Sequence, residues 1–169
     1  DAEAGDDNNM GGENDPFQTV EKGLASLSDG KTLVIGEGTY VLAGPVSVSA
    51  SNVKIIGAGS DKTVLQRHNV TGENVVTLSG NNMDVAGIAF DISRNDGTVI
   101  GIRLQGKANK LHNCSFLSGG GVSIQTYLSE NAQIYSNVFT GKSESGVQVS
   151  GSNPGLKIYN NLSLKIKIT

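Results

Sequence analysis

Apolar and polar residues alternate along most of this chain in short runs broken by Gly, Asn and Ser. Five triplets can be laid on one another: Val53-Lys54-Ile55, Met83-Asp84-Val85, Asn109-Lys110-Leu111, Ala132-Gln133-Ile134 and Leu156-Lys157-Ile158. Their third residues are 30, 26, 23 and 24 residues apart. Period-two alternation predicts strands, and a drifting repeat in the twenties predicts that successive strands stack as coils. A further strand recurs as Gly101-Ile102-Arg103-Leu104, Gly121-Val122-Ser123-Ile124 and Gly146-Val147-Gln148-Val149. In it Ile102/Leu104, Val122/Ile124 and Val147/Val149 are expected inside, with Arg103, Ser123 and Gln148 outside.

The same alignment stacks Phe90, Phe116 and Phe139 as an interior aromatic ladder. It places Gly87, Asn113, Ser136 and Asn160 in one turn column, and Ile88, Cys114, Asn137 and Asn161 in the next. Gly and Asn tolerate left-handed backbone, and stacked Asn side chains can bond from coil to coil. Before the repeats come strand-like runs at Thr32–Ile35, Gly36–Leu42 and Val46–Val48. A helix is predicted over 16–28: Asp15 offers an N-cap, Pro16 the first helical position, and Phe17, Val20, Leu24 and Leu27 one apolar face. That face suits covering the open end of a coil stack. Residues 1–14 have almost no apolar content and are expected to be a disordered acidic tail. The domain expectation is thus a tail over 1–14 and one domain over 15–169, with coils from 31 onward.

Composition sharpens this picture. The 169 residues include 23 Gly, well above the usual share of about 7%, and no Trp. The net charge of −3 hides an asymmetry. Residues 1–15 carry six acids and no base, so the remaining 10 acids and 13 bases leave the body at +3. No basic stripe with interleaved aromatics is present, which argues against nucleic acid as a partner. A weakly basic body is compatible with an acidic polysaccharide. Cys114 is the only cysteine, so no intrachain disulfide is possible, and its apolar neighbours predict a buried thiol. No stretch reads as a membrane span. The acceptor triplets at Asn69, Asn113 and Asn161 match the glycosylation pattern but arise readily in a chain rich in Asn and Ser.

Asp15 to Leu27 as a cap, then Gly30-Lys31-Thr32-Leu33-Val34-Ile35-Gly36-Glu37-Gly38-Thr39-Tyr40, then Asn52-Val53-Lys54-Ile55-Ile56-Gly57-Ala58-Gly59, resembles the opening of right-handed parallel β-helix proteins of the pectate-lyase-like superfamily. The resemblance covers roughly residues 15–163. It implies an all-β, right-handed parallel β-helix solenoid with a short N-terminal capping α-helix. It also implies an extracellular or secreted setting, cell or virion surface included. The superfamily holds polysaccharide lyases, polygalacturonase-like hydrolases, uronan epimerases and phage tailspikes, so the resemblance speaks to fold more than to activity.

The hydrolase motifs of that superfamily (an Asn-Thr-Asp run, a catalytic Asp-Asp pair, Gly-His-Gly, Arg-Ile-Lys) are missing, and the sole Asp-Asp is Asp6-Asp7 in the tail. The Asp-Pro-His-Glu run of many alginate epimerases is missing too. A two-carboxylate hydrolase needs paired acids about 5–9.5 Å apart. Beyond residue 100 only Glu130 and Glu144 are available, and neither falls in the strand columns. A lyase or epimerase needs a base and a cation that neutralises the uronate carboxylate. No cofactor is required for that; Ca²⁺ held by acids, or Arg and Lys, can serve as the neutraliser.

The outward columns of the first repeated strand run Lys54, Asp84, Lys110, Gln133, Lys157 and Ile56, Ala86, His112, Tyr135, Tyr159. Lys110, His112, Tyr135, Lys157 and Tyr159 are therefore the candidate sugar-contacting residues, with His112, Tyr135 and Lys110 as candidate catalytic groups. Arg103, with Asp91, Arg94 and Asp96, marks a second candidate surface that reads equally as a loop salt bridge. Near the C-terminus Leu164, Ile166 and Ile168 alternate with polar residues as a further strand without a cap. Such an open end offers self-association, or continuation in a longer β-helix. The sequence thus supports a module that engages an acidic polysaccharide, alone or within a lyase-like enzyme. The rival is a non-catalytic structural, adhesive or spike-like β-helix that stacks through its open end.

Overall fold

The computed structural model describes residues 1, 3–95, 97–141 and 145–164. After one short helix, the chain winds through successive coils of three strands. The first coil holds β1 (Thr32–Ile35), β2 (Gly38–Val41) and β3 (Val46–Val48). The second holds β4 (Lys54–Gly57), β5 (Thr63–Gln66) and β6 (Asn74–Leu78). The third holds β7 (Asp84–Ala86), β8 (Ala89–Ile92) and β9 (Ile100–Lys107). The fourth holds β10 (Lys110–His112), β11 (Ser115–Ser118) and β12 (Val122–Glu130). The fifth holds β13 (Gln133–Tyr135), β14 (Val138–Gly141) and β15 (Ser145–Ser150), and β16 (Lys157–Tyr159) and β17 (Leu162–Leu164) begin a sixth. Equivalent strands pair in parallel into three sheets, the first from β1 to β16, the second from β2 to β17 and the third from β3 to β15.

The interior follows from period two. In the first sheet Leu33, Ile55, Val85, Leu111, Ile134 and Ile158 share one inward column. In the second, Tyr40, Leu65, Phe90, Phe116 and Phe139 share another. In the third, Val76, Ile102, Ile124 and Val147 do the same. Leu111, Phe116, Ile134, Ile102 and Ile124 are completely buried. The Phe rings stack as expected, with centroids 5.2 Å apart and planes within 13°.

Two corners are set by left-handed residues. Between the first and second sheets, Gly87, Asn113, Ser136 and Asn160 have φ of 70°, 51°, 54° and 53°. The next residue points inward, and there the amides form a ladder. Asn137 Oδ1 accepts from the Cys114 amide at 3.0 Å, and Asn161 Oδ1 accepts from the Asn137 amide at 2.9 Å. Their Nδ2 groups donate to Leu111 O and Ile134 O at 3.0 and 2.9 Å. Between the third and first sheets, Asn52, Asn82, Ala108 and Asn131 take the same left-handed turn.

Three expectations need adjustment. The helix, α1, spans Val20–Ala25 rather than 16–28. Its N-cap is Thr19, whose hydroxyl accepts from the Lys22 amide at 3.2 Å, and Asp15 instead accepts from the Met10 amide. Asp7 braces that cap from outside the helix: its carboxylate takes the Gln18 and Thr19 amides at 3.0 and 2.8 Å and the Thr19 hydroxyl at 2.7 Å. Those bonds, the Thr19 amide first, hold the Asp7 carboxyl below its ordinary pKa. Gly23 lets the helix lie close on the first coil, since a Cβ there would meet Leu33 Cδ1 at 2.9 Å.

The acidic segment, expected as a disordered tail, is drawn into turns before the helix, with the Asp6 amide on Pro16 O and the Gly11 amide on Asp15 O. In the third sheet, Arg103 pairs in register with Gln125, not with Ser123. The slip of two residues keeps each side chain's face, so Ile102, Ile124 and Val147 do align inside. Ser123 is nevertheless completely buried. The expected strand residues Ile166 and Ile168, and the acids Asp96 and Glu144, lie outside the described residues.

Candidate functional site

The first sheet brings five of the six sequence-derived candidates onto one face. Parallel register aligns Lys110 with Gln133 and Gln133 with Lys157, and His112 with Tyr135 and Tyr135 with Tyr159. A parallel in-register ladder repeats each side chain directly above its predecessor, so the rings stack. His112 and Tyr135 have centroids 4.6 Å apart and planes within 6°, and Tyr135 and Tyr159 are 5.0 Å apart within 3°. The rings thus cover one another's faces, and this sheet offers a partner their edges and phenol groups. Lys110 and Lys157 are exposed beside them.

The two end rings, His112 and Tyr159, are fixed by polar neighbours. His112 Nε2 lies 2.8 Å from Asp84 Oδ1, and Nδ1 lies 3.0 Å from the Asn113 side-chain amide. Asn113 donating to Nδ1 makes Nε2 the protonated nitrogen, which donates to Asp84. Both ring nitrogens are therefore engaged. The Tyr159 hydroxyl donates to Gln133 Oε1 at 3.2 Å. Burial pushes the Tyr135 phenol up, and the Asp84 carboxylate and the neighbouring Tyr159 add to the shift. At neutral pH Tyr135 is a neutral hydroxyl able to donate. The sequence columns identified Asp84 and Gln133 without giving them a role. Asn113 was read as a turn residue, and its contact with His112 has no signal in the periodicity.

Arg103 sits apart, on the outward face of the third sheet. Its guanidinium carbon lies 4.3 Å from the centroid of the Tyr127 ring. Among the described residues Asp91 is engaged by partners other than Arg103. Burial alone raises the Asp91 pKa, but the Ser93 hydroxyl and amide and then His68 outweigh it, leaving the carboxyl below its ordinary value. Ser93 Oγ donates to Asp91 Oδ1 at 2.6 Å and Gln66 Nε2 donates to Oδ2 at 3.1 Å. His68 Nε2 lies 3.1 Å from Asp91 Oδ1, out of line for a hydrogen bond. In this trio the carboxylate, not the imidazole, takes the serine proton, so it is not a nucleophile–base relay. Arg94 is exposed.

Cys114 is buried and its thiol is pushed up to about 12 by burial, which makes it an inert core residue. Among the described residues no group of three His, Cys, Asp or Glu is gathered that could hold a metal ion. A cavity of about 490 Å³ lies between the N-terminal segment and β1, and contains none of the candidate residues. Among the described residues no helix is long and apolar enough to cross a membrane.

Three parallel sheets, left-handed corners, and inward aliphatic and Phe columns define a right-handed parallel β-helix. The chain belongs to the family described as "Protein of unknown function (DUF1565)", which matches residues 3–166. No curated protein matches it in sequence. Among solved structures it is similar to pectin methylesterase PemA from Erwinia chrysanthemi, with 13% identity and a TM-score of 0.50 over 81% of this chain and 52% of that one. A mutant pectin methylesterase in complex with a hexasaccharide matches at 11% identity and a TM-score of 0.45, over 80% of this chain and 54% of that one. The chain thus spans about half the length of these two structures. At such identity the likeness concerns the fold.

Proposed function

We propose that this protein is an extracellular module that engages an acidic polysaccharide through the outward face of its first sheet. The observation that carries this reading is the stacked row His112, Tyr135 and Tyr159 flanked by the exposed Lys110 and Lys157. Ammonium groups attract carboxylates along a chain, and Tyr hydroxyls and electropositive ring edges suit sugar oxygens. The stack fixes the rings before binding, so little side-chain entropy is lost when a glycan docks. The fold likeness to pectin methylesterase PemA is consistent with a sugar-chain partner.

Binding is favoured over catalysis on this face. Tyr135 is held protonated, and His112 would have to release Asn113 before its Nδ1 could take a proton. The test is calorimetric titration with polygalacturonate, alginate and a neutral glucan. Acidic polymers are expected to bind with an affinity that falls as salt rises. Replacing His112, Tyr135 and Tyr159 together by Ala should cost at least about tenfold in affinity, or about 1.4 kcal/mol, while the fold is retained. Unchanged affinity in the folded triple variant removes this face as the site. Appearance of an unsaturated uronate product in the same mixtures would instead make the protein a lyase.

A further inference from the structure

We propose that Arg103, with Tyr127, Gln125 and Gln148, forms a separate carboxylate-binding site on the outward face of the third sheet. The proposal rests on the reading that the protein takes acidic sugar chains, and adds a second point of contact for them. Three observations lead to it.

The first is the state of the arginine. Arg103 is half-buried, its Nε is fully buried, and among the described residues that Nε has no hydrogen-bond partner. Among the described residues the guanidinium makes no ion pair. A buried donor on a permanent charge is costly to leave unmet, and such groups in folded proteins commonly mark a place for an ion, water or ligand. By contrast Arg67, in the preceding coil, is engaged with Glu73 through Nε and Nη2 and with Leu42 O and Ala43 O through Nη1. The fold therefore supplies acceptors to one half-buried arginine and leaves the other open.

The second observation is how Arg103 is held. Thr126 pairs with Leu104, but Ser129 pairs with Gly106, so Tyr127 and Leu128 together oppose Gln105. This is a β-bulge. Leu128 within it has φ of 52° and is 56% exposed. A branched apolar residue in left-handed backbone, out in solvent, is an unfavourable choice on both counts, and bulges commonly re-aim a neighbouring side chain. Here the re-aimed neighbour is Tyr127, whose ring lies against the guanidinium at 4.3 Å. Stacking on one face orients the guanidinium's planar fork of donors without occupying any N–H.

The third observation is the setting. Thr77, Arg103, Gln125 and Gln148 share one outward column in register. Gln125 Nε2 donates to Gln148 Oε1 at 2.7 Å, which aligns the two amides beside the arginine. A planar fork matches a carboxylate with two parallel bonds, and a hydroxyl and a row of amides can take sugar hydroxyls. One uronate residue provides both kinds of group.

The test uses the full chain, with a galacturonate trimer and its fully methyl-esterified form as probes. The readout is the Arg103 Nε–H signal in ¹H–¹⁵N spectra. The trimer is expected to shift that signal saturably and the ester to leave it in place. Arg103→Lys keeps the charge and loses the fork, and is expected to weaken the trimer about tenfold with unchanged thermal unfolding. Equal shifts by trimer and ester overturn the carboxylate assignment. Trimer binding that leaves the Arg103 signal unmoved overturns this site while the first-sheet reading stands, and the His112/Tyr135/Tyr159 triple variant then abolishes it. No binding by any acidic oligomer overturns both.

Discussion

The molecule contains two aromatic ladders of nearly the same geometry on opposite sides of its wall. Inside, Phe90, Phe116 and Phe139 stack at 5.2 Å. Outside, His112, Tyr135 and Tyr159 stack at 4.6 and 5.0 Å. The spacing is common because both are set by in-register parallel strands. What differs is solvent. Phe116 is completely buried, whereas Tyr159 is 40% exposed. Stacking geometry alone therefore says nothing of purpose. The inner ladder removes apolar area from water and holds the coils together, while the outer one keeps its hydroxyls and edges available.

Truncating the inner ladder should break the comparison most sharply. Phe116→Ala leaves a cavity between two rings and is expected to cost about 3–5 kcal/mol, seen as a lower urea midpoint with an unchanged slope. Next comes the corner between the two sheets. Asn137→Ala strips the buried Cys114 amide of its acceptor and Leu111 O of a donor, at about 2–4 kcal/mol in all. Cys114 gives a local reading of the same change, because its high thiol pKa and burial protect it from alkylation near pH 8. Labelling should be slow in the native protein and clearly faster in Asn137→Ala; equal rates would show that the Asn ladder does not hold this corner.

Much of this contrast was legible in the residues. The triplets from Val53 to Ile158 gave the register of the first sheet because their inward and outward positions repeat without insertion. The Phe column and the Asn corner followed from the same offsets. The third sheet was harder. Its strands are preceded by loops of unequal length, and period two is preserved by a slip of two, so Arg103 could be matched with Ser123 as readily as with Gln125. The bulge at Tyr127 and Leu128 left no mark in the alternation. The helix start was misplaced for a different reason. Asp15-Pro16 has good local capping chemistry, but Thr19 is the cap, and Asp7, a nonlocal carboxylate, holds Thr19 in place.

A smaller effect concerns Asp91, one residue beyond Phe90 and facing the other way. Its folded pKa lies below the ordinary 3.8. A depressed carboxyl contributes stability that is fully present above its unfolded pKa and lost as pH falls through the folded value. The difference in stability between the parent protein and Asp91→Asn should therefore be constant above about pH 5 and shrink as pH falls below about 4. A difference that stays flat down to pH 2 would remove the Ser93 and His68 contacts as its source.

The smallest change in stability is expected on the outer ladder, and it sharpens the comparison best. Tyr135→Ala removes two stacked pairs from a surface where each cross-strand pair is worth about 0.2–1 kcal/mol, so the total should be about 1 kcal/mol. Tyr135→Phe keeps the ring and loses only the hydroxyl, and should be close to neutral in urea unfolding. If the outer ladder exists for binding, the ranking reverses for the ligand. Phe should then weaken polygalacturonate measurably despite unchanged stability, because a donor that faces the sugar is gone. A Phe variant identical to the parent in both measurements would mean that the outer rings only stack. The first-sheet site would then have to rest on Lys110 and Lys157 alone.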